Sequence, residues 1–306
     1  MLKFLKANVK EGVPSVKLFE GEQALVITGL IGFILSAGIA IFIFFNGHAI
    51  APEGNMRDAF SFNAAIGMFI LSIAAIMPLA GFGSRKRKTV RFFLIIATMY
   101  SYAIETIQNF RGINPRFSRE GTVVDIGAGM LFGVISLVLV TLAIVLMIQF
   151  LKMKPPYEQP LLIQGIRYAF LSVFAANMAG IWMILLQDRL TQDGGNIIIL
   201  HGLGFHALQT LILPAWLLEK VHVQDRLKKW LIQTGSMAWM LSILLIGIQT
   251  ALGQTVFELT LLPILAGLLL LIWFGTVMVS CGLLMKQLRI EIQITITKKE
   301  LVKTKS

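Results

Sequence analysis

Residues 124–151 have the sequence VDIGAGMLFGVISLVLVTLAIVLMIQFL, in which residues 126–151 include no Asp, Glu, Lys or Arg. A helix that crosses the hydrocarbon core of a bilayer needs about 20 apolar residues. Strands in a protein core are much shorter, and strands of a membrane barrel alternate apolar with polar residues. The stretch therefore predicts a transmembrane α-helix.

Stretches of the same kind recur along the whole chain. The 306 residues are 56% hydrophobic and 14% charged, with a mean hydropathy of +0.78, which excludes a water-soluble domain of ordinary composition. Eight apolar runs are long enough to cross a bilayer: 24–46, 59–83, 90–110, 124–151, 161–187, 195–218, 230–252 and 256–285. The sequence therefore predicts an all-α fold, a polytopic transmembrane bundle of eight helices.

The positions of the basic residues predict the orientation of the bundle. If the N-terminus is cytoplasmic, 22 of the 27 Lys and Arg residues lie on the cytoplasmic side of the membrane. The five that remain in the outer loops are Arg57, Arg111, Arg116, Arg119 and Arg189. Because cytoplasmic loops are enriched in Lys and Arg, we expect both termini to be cytoplasmic in a bacterial plasma membrane.

Three regions follow from this topology. They are a basic cytoplasmic segment 1–22, an eight-helix membrane domain 23–286 and a basic cytoplasmic tail 287–306. The formal charge of +11 would suit a nucleic-acid partner, but the basic residues lie between apolar runs, so no nucleic-acid partner is expected. The expected partners are the lipid bilayer and the anionic lipids of its inner leaflet.

The tail permits two interpretations. Isoleucines at 290, 292, 294 and 296 alternate with polar residues, which is typical of a short strand. An extension of the last helix is the alternative for residues 287–297.

An internal repeat is a further hypothesis. A shift of about 136 residues carries the first four runs onto the last four and aligns Pro78 with Pro214. This pattern predicts a parallel 4 + 4 repeat. The alternative is that evenly spaced membrane helices superpose in any case.

The third run contains the first candidate site. An ionisable side chain within the hydrocarbon core costs about 2.5–3.5 kcal/mol, so Glu105 needs a partner or a function. Gln108 and Asn109 lie on the same helix face, while Arg111 and Asp125 bracket the following loop. One interpretation is that an arginine neutralises Glu105 and ties down the loop. The other is a proton, cation or metal site.

The sixth run contains the second candidate site, which comprises His201, His206 and Gln209. The two histidines are five residues apart, so a regular helix turns them about 140° away from each other. Pro214 is expected to kink the helix because it has no N–H to bond the carbonyl of Thr210. The histidines are either satisfied interhelical donors or members of a proton relay from Glu105 through His201 to His206.

Several cofactor chemistries find no support in the sequence. HExxH, histidine-box, GxSxG, Walker and GxGxxG motifs do not occur. A bis-histidine haem is not expected, because His48 and His222 lie in or beside loops on opposite sides of the membrane. The lone Cys281 excludes a multi-cysteine metal site. A single metal ion held by His201, His206 and Glu105 remains a hypothesis, and the cofactor is otherwise unknown.

Two stretches resemble motifs of a family of bacterial multi-pass membrane proteins for which no function is established. The first extends from Glu105 to Asp125 with its Gln and Arg-Gly loop, and the second is the paired-histidine stretch 201–208 leading to Pro214. The resemblance implies that the two stretches form one site. It implies no activity.

The candidate polar residues all lie in the outer half of the predicted bundle. This placement predicts an outward-facing polar pocket that serves transport or sensing of a small solute or ion. The alternatives are a membrane-embedded enzyme at the outer leaflet, with His206 and Glu105 as acid and base or as metal ligands, and a structural subunit of a complex. Polar residues spread through both membrane halves would favour transport, whereas confinement to the outer half would favour an enzyme, a sensor or a structural partner.

Overall fold

The computed structural model describes residues 17–116, 118–192 and 194–303, with side chains described as far as Gln293. Eight helical segments in these residues are long and apolar enough to cross a membrane, which confirms the predicted all-α, eight-span class. The protein is a multi-pass membrane helix bundle. Its helices are α1 Gln23–Asn46, α2 Met56–Ile76, α3 Ser84–Phe110, α4 Val123–Lys152, α5 Pro160–Leu186, α6 Ile197–Thr210, α7 Ile212–Glu219, α8 Asp225–Ala251 and α9 Leu261–Lys303.

Two short antiparallel hairpins, which the sequence analysis did not predict, mark one end of the bundle. Strands β1 (Ala49–Ile50) and β2 (Gly54–Asn55) precede α2, and strands β3 (Leu190–Thr191) and β4 (Gly195–Asn196) precede α6. We call this the hairpin end, and its connections are 47–55, 111–122, 187–196 and 252–260. The opposite end contains the connections 81–83, 153–159 and 220–224.

Helix α9 decides between the two interpretations of the tail. It continues without a break to Lys303, so the strand predicted as one alternative for residues 287–297 is wrong and the helical extension is correct. A strand needs a neighbouring strand to satisfy its backbone, whereas a helix satisfies its own. The four described strands lie at the other end of the bundle, so the alternating isoleucines have no strand to pair with.

Small residues allow the helices to approach closely. A Cβ atom on Gly67 of α2 would lie 2.7 Å from the carbonyl oxygen of Gly29 in α1. On the other side of the bundle, a Cβ on Gly204 of α6 would lie 2.8 Å from the Cβ of Ala176 in α5. Such contacts replace the hydrophobic driving force that is absent between helices in lipid.

The sixth span is broken at Leu211 into α6 and α7, as Pro214 predicts. Proline has no N–H for the carbonyl of Thr210, which lies one turn earlier. Trp273 of α9 supplies the missing donor, because its Nε1 lies 3.1 Å from that oxygen. A neighbouring helix thus satisfies the carbonyl that the proline frees, as the bilayer interior requires.

Candidate functional site

An ion pair between Glu105 and Arg116 lies at the hairpin end. Glu105 projects from α3 and is fully buried. The Nη2 atom of Arg116, in the loop after α3, lies 2.8 Å from Oε2 of Glu105. A buried carboxylate without a partner would cost several kcal/mol of desolvation. The arginine predicted to neutralise Glu105 is therefore Arg116, and the pair does tie the loop to the bundle.

Two aromatic rings complete the surroundings of Arg116. Its guanidinium carbon lies 5.2 Å from the ring centre of Phe62 on α2 and 5.8 Å from that of Phe132 on α4. Both distances are within the range of a cation–π contact. The loop packs against α4 at Gly129, where a Cβ would be in ordinary van der Waals contact, 3.4 Å from the backbone oxygen of Arg116. We call Glu105, Phe62 and Phe132 the cation box.

A second ion pair lies at the base of the same loop. Nη1 of Arg111 lies 2.6 Å from Oδ1 of Asp125 and also donates to Oε1 of Gln108 at 2.7 Å. Nε2 of Gln108 donates to Asp125 at 3.0 Å. Asp125 and Thr122 form a capping box at the start of α4. Three of the predicted site residues, Gln108, Arg111 and Asp125, therefore lie together. Their contacts hold the base of the loop and cap α4.

Glu53, in the first hairpin, holds the tip of the loop and was missed in the sequence analysis. Its carboxylate accepts hydrogen bonds from Oγ of Ser118 at 2.7 Å and from the backbone N–H of Arg119 at 2.8 Å. Burial raises the pKa of Glu53, but these hydrogen bonds together outweigh it and hold the pKa below its ordinary value of 4.5. No sequence pattern predicts this contact, because the partners are more than sixty residues apart.

Below Glu105, α3 carries further buried polar groups. Nδ2 of Asn63 on α2 donates to Oγ1 of Thr106 at 2.9 Å. The Oδ1 atom of Asn63, the hydroxyl of Tyr102 and the hydroxyl of Thr98 are buried and form no hydrogen bond with any described residue. Thr98, Tyr102 and Glu105 recur every three or four residues, so a polar helical period was the available signal.

The opposite end of α3 carries a third charged cluster. Glu22, immediately before α1, is fully buried, and its carboxylate lies 2.6 Å from Nε of Arg87 and 2.7 Å from Nε of Arg91. Between Arg91 and the middle of the helix lies the buried apolar Leu94. One face of α3 thus carries polar groups along its length, which we call the polar stripe: Arg87, Arg91, Thr98, Tyr102, Glu105 and Asn109.

The two histidines point to different partners. Nδ1 of His201 lies 2.8 Å from the carbonyl oxygen of Ala176. His206 is exposed, and its Nδ1 lies 3.4 Å from Oε1 of Gln209. Gln209 in turn donates to Oγ of Ser72 at 2.6 Å.

The predicted relay from Glu105 through His201 to His206 has no continuous hydrogen-bond path among the described residues. The reason is the five-residue spacing, which turns the imidazoles to different faces of α6. The described part of the chain also contains no group of three His, Cys, Asp or Glu side chains placed to hold a metal ion. The hypothetical metal ligands Glu105, His201 and His206 are therefore not assembled.

Comparison with family models, with curated proteins and with solved structures finds no match to this chain.

Proposed function

We propose that this protein transports a proton or a small cation across the bilayer, with Glu105 as the ionisable group of the path. The observation that carries the proposal is the polar stripe. Thr98, Tyr102, Glu105 and Asn109 are buried, and at the other end of α3 the half-buried Arg87 and Arg91 contact the buried Glu22. Polar groups in both membrane halves favour transport over chemistry confined to one leaflet. The bacterial plasma membrane, with the hairpin end outside, belongs to the same proposal.

The middle of the stripe supports a path because its polar atoms lack partners. A buried polar atom without a hydrogen bond costs about 1–3 kcal/mol. Asn63, Tyr102 and Thr98 place three such atoms below Glu105. A water molecule or a passing cation would satisfy them, which offsets the cost of keeping them in the membrane.

The polar stripe spans about 33 Å along the helix axis from Arg87 to Asn109, close to the thickness of about 30 Å of the hydrocarbon core. Glu105 and Thr98 are separated by about 10 Å along the helix axis, and Thr98 and Arg91 by about the same distance. Leu94 is the apolar barrier in the second interval. A path of this kind needs Leu94 to move or water to enter beside it, and it needs Arg116 to leave Glu105.

The enzyme alternative has weaker support. It assigns His206 and Glu105 to one reaction centre as acid and base. His206 is exposed and contacts Gln209, whereas Glu105 is buried and contacts Arg116. General acid–base catalysis needs both groups within hydrogen-bond reach of one substrate.

Flux through liposomes tests the transport proposal. The purified full-length protein is reconstituted with a pH-sensitive dye inside the vesicles, and cation flux is driven by an imposed potential. Glu105→Gln should reduce flux at least about tenfold while the protein stays folded, because the amide keeps the hydrogen bonds but cannot ionise.

A matched pair of variants tests the path itself. Thr98→Val removes an unpartnered hydroxyl and should lower the flux. Ser101→Ala removes a hydroxyl that already bonds the carbonyl of Ala97 in its own helix, and should leave the flux unchanged. Wild-type vesicles that conduct no faster than empty ones, or Glu105→Gln vesicles that conduct like the wild type, would refute the proposal.

A further inference from the structure

We infer that the cation box is a binding site for an organic cation, and that Arg116 is its built-in occupant. The inference rests on the proposed function only in treating Glu105 as a cation-binding group. It names the class of ligand, a guanidinium or alkylammonium ion, that the box would take when Arg116 leaves.

The chemistry of the box selects that class. A fully buried carboxylate faces a planar guanidinium at 2.8 Å, and two phenyl rings lie within 6 Å of the guanidinium carbon. Aromatic rings around a carboxylate recognise large, weakly hydrated cations. Small inorganic cations prefer a shell of several oxygen atoms, and phenyl rings contribute none.

The walls of the box and its occupant belong to different parts of the fold. Phe62, Glu105 and Phe132 project from the membrane helices α2, α3 and α4. Arg116 comes from the connection 111–122 and remains about one-third exposed at the hairpin end. Removing one side chain would therefore expose the carboxylate and both rings without moving a helix.

The loop has attachments that do not depend on Arg116. Its base is held by the ion pair between Arg111 and Asp125, and its tip by the hydrogen bonds from Ser118 and Arg119 to Glu53. Arg116 can leave the box while these contacts persist. A tethered side chain has an effective concentration of the order of millimolar or more, so an external cation has to compete with it.

Thermal unfolding of the full-length protein in detergent tests the inference, with methylguanidinium chloride as the probe and sodium chloride at the same ionic strength as the reference. In Arg116→Ala, methylguanidinium should raise the unfolding temperature with a half-saturating concentration at least tenfold below that of the wild type. The matched control is Arg111→Ala, which removes the arginine of the Asp125 ion pair; among the described residues Arg111 forms no cation–π contact, whereas Arg116 forms two. It should respond like the wild type.

Two further variants identify the walls of the box. Adding Glu105→Gln to Arg116→Ala should abolish the effect of methylguanidinium, because the carboxylate is lost. Adding Phe62→Leu should weaken it severalfold, and should weaken the response to tetramethylammonium, which donates no hydrogen bond, at least as much.

Equal shifts in Arg116→Ala and Arg111→Ala, or a shift that survives Glu105→Gln, would overturn the inference. If Arg116→Ala does not fold alone, it is prepared with methylguanidinium beside the double variant Glu105→Gln/Arg116→Ala, which has no unpaired carboxylate. Recovery of folded Arg116→Ala only with methylguanidinium supports the site. Failure to recover it, while the double variant folds, refutes the site.

The outcome is separable from that of the transport proposal. Flux that depends on Glu105, without methylguanidinium binding, would refute this inference alone. Methylguanidinium binding without any flux would refute transport and leave the binding site.

Discussion

The two hairpins share a backbone, but the side chains beneath them differ. Both hairpins have the same register at positions 141 residues apart, and in each the last strand residue is an asparagine that caps the next helix. The cap accepts from Arg57 N–H at 3.1 Å in the first hairpin and from Ile198 N–H at 3.0 Å in the second. The local chain therefore folds alike in both halves.

The helices under the hairpins also end alike. Residues 101–112 (SYAIETIQNFRG) and 242–253 (SILLIGIQTALG) close α3 and α8, and each segment ends with a glycine of positive φ, 74° at Gly112 and 72° at Gly253. These local matches lie 141 residues apart, a spacing that does not align Pro78 with Pro214, so the parallel 4 + 4 repeat at about 136 residues stays a prediction.

The two halves differ at the positions of two acidic residues. At the positions of Glu105 and Glu53 the second half has Ile246 and Gly194. A buried carboxylate needs a cation, and the long connection 111–122 supplies Arg116 together with residues that Glu53 holds. The second half has no carboxylate here and a shorter connection. On the same local backbone, the first half therefore differs from the second by the buried Glu105 and by the loop whose Arg116 neutralises it.

A glutamate at position 246, which matches Glu105 in the second half, should give the largest change in the free energy of unfolding. Ile246 is buried on α8, and the connection 252–260 that follows this helix contains no arginine or lysine that could act as Arg116 does. Ile246→Glu should lower the free energy of unfolding by about 3–5 kcal/mol, since a buried charge would lack a partner. Thermal unfolding and the yield of monodisperse protein measure this. Ile246→Leu is the control, and an equal loss in both variants would contradict the explanation.

Substitution of Gly112 or Gly253, the glycines that end α3 and α8, should cause a smaller loss of stability than Ile246→Glu. The loss should differ between the two positions. A Cβ on Gly112 would collide with the backbone oxygen of Ala51, whereas a Cβ on Gly253 would lie within 3 Å of the Oε1, Cδ and Cβ atoms of Gln192. Both substitutions also strain a positive φ. Gly112→Ala should cost about 2–4 kcal/mol and Gly253→Ala about 1–2 kcal/mol, because the Gln192 side chain can shift part of the way whereas the Ala51 carbonyl belongs to the backbone. Unfolding temperatures of the two variants in one detergent would show the order, and the reverse order would contradict it.

The smallest effect concerns the loop tip and depends on pH. Because the pKa of Glu53 is lowered in the folded protein, its stabilising contribution is present above about pH 4.5 and is lost as the pH falls through the folded pKa. Glu53→Gln should cost less than about 1 kcal/mol at pH 7, since the site is near the surface.

Hydrogen exchange at the amide of Arg119 measures this contribution. Exchange corrected for its intrinsic pH dependence should accelerate on acidification in the wild type and much less in Glu53→Gln. Identical pH profiles in the two proteins would show that the carboxylate does not hold the loop. The matching position of the second half is Gly194, which has no side-chain carboxylate.

The class of the fold follows from the amino-acid sequence. The sequence also shows which polar residues lie inside apolar runs and therefore need a partner or a function. The run at 124–151 and its seven counterparts are too long and too apolar for any other structure. Pro214 determined a break in the sixth span, and the spacing of His201 and His206 determined that they diverge. Each of these depends on local geometry, which is set by a few neighbouring residues.

Tertiary structure alone decided which groups meet. The sequence places five arginines in the outer loops, and the path of the loop that Glu53 holds brings Arg116 to Glu105. Residues far apart in the chain also determine the ion pairs of Glu22 and the aromatic contacts of Arg116. The same holds for the burial of the Tyr102 hydroxyl without a partner. The isoleucines near 290 showed the same limit, because a strand pattern gives a strand only where another strand is available to pair with it. Contacts between residues far apart in the chain depend on how the helices pack, and local sequence patterns do not reveal them.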